Sequence, residues 1–244
     1  MKRAQKQRLD QLLVDRGLAD SRQKAQALIL AGSVLVNNHK VDKPGHSVPI
    51  DAAVELLGVL PFVSRGGYKL DAALTHFNVD VRNKVCLDVG ASTGGFTDCL
   101  LQHGAQKIYA VDVGDTQLDW KLRTDPRVVV RDRTNARNLT AGDLPEPCDI
   151  AVCDVSFISV TLIAPALPSL LHPDGRLIVL IKPQFEVGRA DVGKGGIVRD
   201  PALHSVACGK VRGAFEALGY KTELMESPIT GAEGNKEFLL HAYR

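Results

Sequence analysis

The chain is easiest to place by what it lacks. Its five cysteines, Cys86, Cys99, Cys148, Cys153 and Cys208, show no paired spacing, and Cys86 and Cys153 lie inside apolar runs. That pattern excludes a disulfide framework and predicts reduced core residues of a cytosolic protein. The seven histidines are scattered, with no His-Glu-x-x-His or Cys/His cluster, so no metal site is expected. The longest apolar runs, such as 177–181, fall far short of a membrane span. The opening Met1-Lys2-Arg3-Ala4-Gln5-Lys6-Gln7-Arg8 is charged and has no apolar core behind it, which argues against a secretory signal. The expectation is a soluble, cytoplasmic protein with no membrane partner. Net charge is lacking too: 30 Lys and Arg against 28 Asp and Glu leave +2. Any affinity for nucleic acid must then come from uneven placement of charge. No internal repeat or low-complexity stretch is present. What remains, 244 residues at 45% hydrophobic, suffices for one large domain and a small one.

The stretch 84–103 organises the rest. Val85 to Val89 predicts a buried strand, small residues and glycines follow, and a helical pattern begins near Phe96. Gly90, Gly94 and Gly95 would let the backbone approach a ligand where a side chain would block it, which makes the loop a nucleotide-type site. The order Gly-Ala-Ser-Thr-Gly-Gly is not the G-x-G-x-x-G dinucleotide fingerprint, and the Gly-Lys-Ser/Thr ending of a phosphate loop is missing. The run 107–112 predicts a second buried strand closing on Asp112, about twenty residues past the loop, where a ribose hydroxyl pair is held. Asp88 adds a carboxylate at the end of the first strand, which suits a cationic ligand better than a pyrophosphate. S-adenosylmethionine, with an ammonium, a sulfonium and a ribose, meets both conditions. A nicotinamide-type or merely structural strand-turn-helix stays open on this stretch alone.

Residues 1–58 differ in texture. Leu9, Leu12, Leu13 and Leu18 recur at helical spacing, and Ala25, Leu28 and Ile29 do so again after the capping pair Asp20-Ser21. Short alternating strands follow at 34–36 and 54–57, with a turn at Asn37-Asn38. Two helices leading into a small sheet make a compact module. Its cations are concentrated: Lys2, Arg3, Lys6, Arg8, Arg16, Arg22, Lys24, Lys40 and Lys43. By itself such a run is as readily a solvated helix face.

From residue 59 to 67 the chain reads as a link, stiffened by Pro61 and loosened by Gly66 and Gly67. Residues 68–77 read as a helix with Leu70, Ala73, Leu74 and Phe77 inward. Lys69 in its first turn opposes the helix dipole and needs another reason to be there. Beyond it, strands at 84–89, 107–112, 127–131, 149–154 and 175–181 alternate with helical patterns, which predicts an α/β fold with a mainly parallel, doubly wound sheet. The last two strands, near 220–226 and 236–243, are joined by too short a link for a crossover helix and must pair antiparallel. A seven-stranded sheet finished this way marks a class I (Rossmann-like) methyltransferase, preceded here by a small α+β domain. Ligands of open sheets bind at the carboxyl ends of the parallel strands. Asp154 and Lys182 end two of them, Glu237 opens the last strand at the same edge, and Lys69 lies just before the sheet. Singly, each of the four is as well read as a surface charge or a helix cap.

The residues carry two resemblances. Arg8-Leu9-Asp10, Gly17-Leu18-Ala19-Asp20-Ser21-Arg22-Gln23-Lys24-Ala25 and Gly32-Ser33-Val34-Leu35-Val36-Asn37 resemble the S-four RNA-binding domain. Lys69, Asp154, Lys182 and Glu237 stand in the order of the catalytic set of FtsJ-like ribose 2′-O-methyltransferases. With 63–70, 88–97, 133–137, 154–159, 182–188 and 234–237 around them, nearly the whole chain resembles the TlyA family of ribosomal RNA methyltransferases, also called hemolysin A proteins. The resemblance implies an S-four-like domain over 1–58, a link over 59–67 and an FtsJ-like domain over 68–244. It implies methyl transfer from S-adenosylmethionine to a cytidine 2′-hydroxyl, with ribosomal RNA or a ribosomal subunit as partner. The expected catalytic residues are Lys69, Asp154, Lys182 and Glu237, with Lys182 acting either as a base or as a charged polariser. Asp88, Gly90, Ala91, Ser92, Thr93 and Gly94 are expected around the methionine part of the cofactor, Asp112 at the ribose, and Asp132 and Arg133 near the adenine. RNA contacts are expected from Arg8, Arg22, Lys24, Lys40, Lys43 and Arg65, and the segment bearing Arg189, Lys194 and Arg199 could order over RNA. Two rival readings stand beside this one, a membrane-lysing protein and a non-catalytic RNA-binding assembly factor. The nucleotide, the subunit and the oligomeric state stay open.

Overall fold

The computed structural model describes residues 5–37, 39–56, 61–115, 117–231 and 234–244. Lys2 and Arg3 of the cation cluster, Asn38 of the turn, Leu57 of the strand and the first residues of the link lie outside them. The chain divides into two compact units, Met1–Ser64 and Arg65–Arg244.

In the first unit, β1 (Lys6–Arg8) runs straight into α1 (Leu9–Asp15), and α2 (Arg22–Leu30) starts behind Ser21, whose hydroxyl accepts the Lys24 N–H at 3.2 Å. Then come β2 (Val34–Val36), β3 (His39–Lys40), β4 (Ser47–Pro49) and β5 (Val54–Leu56). Strand β2 is the centre of an antiparallel sheet ordered β3-β2-β5, while β1 pairs with β4. Leu9, Leu12, Leu13, Ala25, Ile29, Val34 and Val36 bury the apolar faces that the spacing marked.

The second unit opens with α3 (Gly66–His76), so the glycines expected to loosen the link are helical. It continues through β6 (Val85–Val89), α4 (Gly95–Gln102), β7 (Lys107–Val111), α5 (Trp120–Arg123), β8 (Val128–Arg131), β9 (Cys148–Cys153), β10 (Leu171–Ile181), α6 (Pro183–Glu186), α7 (Pro201–Ala217), β11 (Lys221–Glu226) and β12 (Phe238–Tyr243). The seven strands form one sheet ordered β11-β12-β10-β9-β6-β7-β8. Neighbours from β10 to β8 are parallel, and β12 runs antiparallel to both β10 and β11. The link from β11 to β12 is indeed too short for a helix. The expected alternation fails at two connections: only 3₁₀ turns join β8 to β9, and no α-helix joins β9 to β10. Pro165 and Pro168 interrupt that segment, which forms 3₁₀ turns at Val160–Leu162 and Ala164–Leu170 instead.

Leu87, Tyr109, Leu177, Val179 and Phe215 anchor the core, which lies between the sheet and its covering helices. All five cysteines are buried and unpaired, and burial pushes the Cys208 thiol up to about 11. Among the described residues, no helix is long and apolar enough to cross a membrane.

Two glycines separate backbone strain from close packing. Gly90 and Gly219 both hold positive φ, 83° and 85°. A Cβ on Gly219 would meet nothing within 4 Å, whereas one on Gly90 would stand 2.5 Å from the Asp154 carbonyl oxygen. Gly219→Ala should therefore cost about 1 kcal/mol of conformational strain, and Gly90→Ala about 3 kcal/mol or more. Urea unfolding of both variants checks this; equal losses would show that the chain at residues 154–155 moves aside freely.

Candidate active site

At the carboxyl ends of β6, β7 and β9 lies a cavity of about 320 Å³, with Gly90, Ser92, Asp112, Gln117, Asn135 and Asp154 in its lining. Strand order reverses at β6, between β9 and β7, which is where an open sheet leaves a crevice. Asp112, just past β7, accepts the Ser92 N–H at 2.8 Å and the Gly114 N–H at 2.7 Å, so its carboxylate is fixed at the rim. Asp88 is fully buried beside it. Its Oδ2 accepts the Thr97 hydroxyl at 2.6 Å, and its Oδ1 has no partner. Burial pushes this carboxyl up to about 7, and the neighbouring Asp154 and Asp112 charges push the same way. With three carboxylates gathered here and Asp88 Oδ1 unpartnered, the site fits a cation, which is what an ammonium and a sulfonium supply.

Several expected residues do other work. A Cβ on Gly94 would meet Leu122 at 2.2 Å and Leu118 at 2.7 Å, and one on Gly90 would meet Asp154, so both glycines make room for neighbouring protein, while Gly90 also lines the cavity. The Ala91 N–H donates to the Val111 carbonyl, and the Thr93 carbonyl accepts the Asp119 N–H, which ties both into the loop. Asp132 and Arg133 lie off the cavity: Asp132 accepts from Arg123 at 2.8 Å, and Arg133 pairs with Asp115. Arg133 has φ 53°, and this left-handed residue turns the chain so that Thr134, Asn135 and Ala136 line the cavity in their place. Ser92 and Phe157, also left-handed at 49° and 65°, sit in the loops after β6 and β9. Among the described residues, the other non-glycine residues of this kind are asparagines, which tolerate it. Backbone strain is thus concentrated around the crevice, as is common at functional sites.

A second cavity, of about 430 Å³, is lined by Lys69, Ser156, Phe157, Lys182, Gln184 and Glu237 among others. Ser156 and Phe157 line both cavities and form their common wall. The four residues expected to converge do so as two ion pairs. Lys69 Nζ meets Glu237 Oε2 at 2.5 Å with both side chains buried, 9% and 3% exposed, which answers why a cation stands in the first turn of α3. Lys182 Nζ meets Asp154 Oδ1 at 2.6 Å and donates to Ser156 Oγ at 2.7 Å. The supporting contacts are specific. Buried Asn235 accepts the Val198 N–H and donates to the Gly196 carbonyl, both at 2.9 Å, fastening the glycine-rich segment to the loop that carries Glu237. Buried Glu186 accepts from Ser159 Oγ at 2.5 Å and the Val160 N–H at 2.8 Å, fastening the loop after β9 to the one after β10. Phe157 is 92% exposed and lies 5.3 Å from the Phe185 ring. Sequence reasoning passed over Gln117, Asn135, Ser156 and Phe157 as site residues; Asn135, Ser156 and Phe157 stood inside motifs that carried the resemblance.

Of the expected RNA contacts, Arg8 and Arg22 both bond Asp10, Lys24 pairs with Asp20 at 2.5 Å, and Lys40 and Lys43 are exposed. Arg65 donates to the Thr230 carbonyl at 2.7 Å and so braces the loop leading to Glu237. Among the described residues, Asp71, Cys99 and His103 hold ligand-type atoms within 4.8 Å of one another. His103 and Asp71 satisfy each other at 2.8 Å and burial pushes the Cys99 thiol up, so the group reads as a staple between α3 and α4.

Comparison with known proteins agrees with this geometry. Residues 62–244 match the model of the FtsJ-like methyltransferases, and residues 7–54 match the S4 domain. Hemolysin A of Brachyspira hyodysenteriae is 45% identical over 239 residues, 96% of this chain and 98% of its own. The 16S/23S rRNA (cytidine-2′-O)-methyltransferase TlyA of Mycobacterium tuberculosis is 44% identical over 240 residues, 97% of this chain and 90% of its own. A solved S-adenosylmethionine-dependent methyltransferase from Mesorhizobium loti shares the fold at 17% identity, with a TM-score of 0.53 over 71% of this chain and 96% of its own. With the family model covering the larger unit and full-length relatives well above 40% identity, the chain belongs to the FtsJ-like methyltransferases, in the TlyA (hemolysin A) group that carries an S4 domain ahead of the enzyme.

Proposed function

We propose that this enzyme methylates the ribose 2′-hydroxyl of a cytidine in ribosomal RNA with S-adenosylmethionine as donor, in the cytoplasm. The observation that carries the reading is the meeting of the Lys69–Glu237 and Lys182–Asp154 pairs at two cavities that share one wall. The names of the relatives support the substrate, since TlyA of Mycobacterium tuberculosis is a ribosomal RNA cytidine methyltransferase.

When bound, the cofactor supplies an electrophilic methyl on a sulfonium. Asp112 would hold its ribose, and Asp88 and Asp154 would offset its positive charge. On the other side of the wall, Lys182 Nζ uses one direction toward Asp154 and one toward Ser156, leaving its third for a substrate hydroxyl. A ribose hydroxyl is a weak nucleophile: as a neutral amine Lys182 would accept its proton on the free lone pair as the new bond forms, and as an ammonium it would only polarise the hydroxyl. Asp154 keeps the amine aimed, and the Lys69–Glu237 pair fixes the opposite side of the cavity. Phe157 presents an exposed ring on which a base can stack. The rival reading as a membrane-active hemolysin has a relative's name behind it but no membrane-crossing helix among the described residues. A silent RNA-binding factor would not need a buried Lys69–Glu237 pair together with a Lys182–Asp154 pair at a cofactor crevice.

Lys182→Ala should lower methyl transfer by about 10³-fold while leaving affinity for ribosomal RNA within about twofold. Tritiated methyl transfer and filter binding measure the two, and transfer surviving at near wild-type rate would remove Lys182 from its role. The same preparation should leave liposomes sealed, where a hemolysin would leak them. Glu237→Ala strands a buried ammonium and should cost about 3–5 kcal/mol in urea unfolding.

The raised Asp88 carboxyl gives a pH signature. A bound cation favours its ionised form, so cofactor binding should release a proton and tighten as pH rises toward about 7. The ligand-free protein runs the other way: stability from the protonated group is present at low pH and lost as pH rises through about 7. Calorimetry in buffers of different ionisation enthalpy reads the proton. Asp88→Asn should flatten both profiles, and a flat wild-type profile would mean that Asp88 lies outside the ligand's field.

A further inference from the structure

Asp10 is fully buried at the start of α1, which no charge tolerates without compensation. The compensation comes from two arginines. Arg8 Nε donates to Oδ1 at 3.0 Å and Arg8 Nη2 to Oδ2 at 2.9 Å, a bidentate fork. Arg22 Nε reaches Oδ2 at 3.0 Å, Gln26 Nε2 reaches it at 2.8 Å, and the Gln11 N–H caps Oδ1 at 3.0 Å. The carboxylate is saturated, and the Arg8 guanidinium holds it well below the usual carboxylate range.

The two arginines are not consumed by this. Their side chains are 51% and 52% exposed, and neither Arg8 Nη1 nor the Nη atoms of Arg22 take part in holding Asp10. Two guanidiniums on one carboxylate leave a net positive charge at the surface, with the Arg8 plane fixed by two bonds and Arg22 tethered through Nε. The Arg8 plane is set from its other side as well: a Cβ on Gly45 would come within 3.2 Å of Nη1. The Asp10 N–H also donates to the Pro44 carbonyl at 3.1 Å, which ties down the turn that carries exposed Lys43.

We infer that Asp10 is a positioning residue for RNA: it holds Arg8 and Arg22 as a preformed clamp for backbone phosphates, with Lys43 on a turn fixed by the same residue. A planar, immobile fork matches phosphate geometry and gives up little freedom on binding, whereas a loose lysine face would gain only its charge. This inference rests on the reading of ribosomal RNA as substrate.

Charge and geometry predict opposite signs for one substitution. Asp10→Asn removes the buried negative charge that offsets the two exposed arginines, so if Arg8 and Arg22 act as loose charges, affinity for RNA should rise and its salt dependence steepen. If Asp10 positions them, affinity should fall about tenfold and the slope of log affinity against log salt should lose about one unit for each phosphate contact given up. Arg22→Lys keeps the charge, loses the fork and should weaken binding similarly. Filter binding of the full-length protein to purified 16S and 23S ribosomal RNA across a KCl series measures both, with circular dichroism melts confirming the fold. If Asp10→Asn does not fold, Arg8→Lys and Arg22→Lys decide the matter, because both residues are half exposed. Binding by these variants at wild-type strength, or tighter binding by Asp10→Asn, overturns the clamp while the RNA reading stands. A wild-type protein that binds no ribosomal RNA overturns both.

Discussion

A buried charge commits the polypeptide to delivering its partner, and that constraint shapes the active site. Lys69 and Glu237 are 168 residues apart in sequence and meet at 2.5 Å with almost no water access. Either one alone would be costly in that place, so α3 and the loop before β12 can be stable only together. The rest of the loop follows from the pair. Gly231 has no Cβ because Glu237 Oε1 would stand 2.5 Å from it, Arg65 holds the Thr230 carbonyl, and Asn235 bonds the neighbouring segment. The antiparallel strand β12 brings Glu237 to the edge where the parallel strands end, which a seventh parallel strand would not do.

The two cavities call for opposite charges. Asp112 and Asp154 line the first with Asp88 buried beside them, and Lys69 and Lys182 face the second. A cationic donor and an anionic acceptor would each find its own side, with the reacting atoms meeting across Ser156 and Phe157. Asp154 belongs to both: it lines the acid side and bonds the lysine of the other. A strand-end carboxylate so placed would serve both sides at once, and the left-handed backbone at Phe157 falls where the wall must turn.

How far the amino-acid sequence discloses this depends on what each residue's neighbours are. Strands β6, β7 and β9 were legible because both faces of their sheet are covered and their residues run apolar without a break. Asp88, Asp112, Asp154 and Lys182 were legible as charges standing at the ends of such runs. The ribbon of β1 and β4 was not, since three residues carry too little alternation to be seen. The glycines carry a second role that the sequence does not disclose: a missing Cβ makes room, and at Gly90 and Gly94 protein atoms lie close on that side, although Gly90 lines the cavity as well. Asp132 and Arg133 were placed on the cavity by counting from the strand end, and one left-handed residue shifted the lining to 134–136. Phe157 gave no signal beyond its place in the 154–159 motif, because an apolar residue after a strand is normally core and only coordinates show it exposed.

The same physical device recurs in both units. In each case a carboxylate, buried at Asp10 and Glu237 and partly exposed at Asp154, pairs with a cation and leaves the rest of its bonding capacity pointing in a set direction. A carboxylate used this way lowers the net positive charge, so it weakens long-range attraction to a polyanion. What it adds is order, because a lysine or arginine left to itself samples many rotamers and must lose them on binding. A methyl transfer depends on alignment within a fraction of an ångström, and recognition of folded RNA depends on the spacing of phosphates. Both reward direction over charge, which fits a protein whose formal charge is only +2.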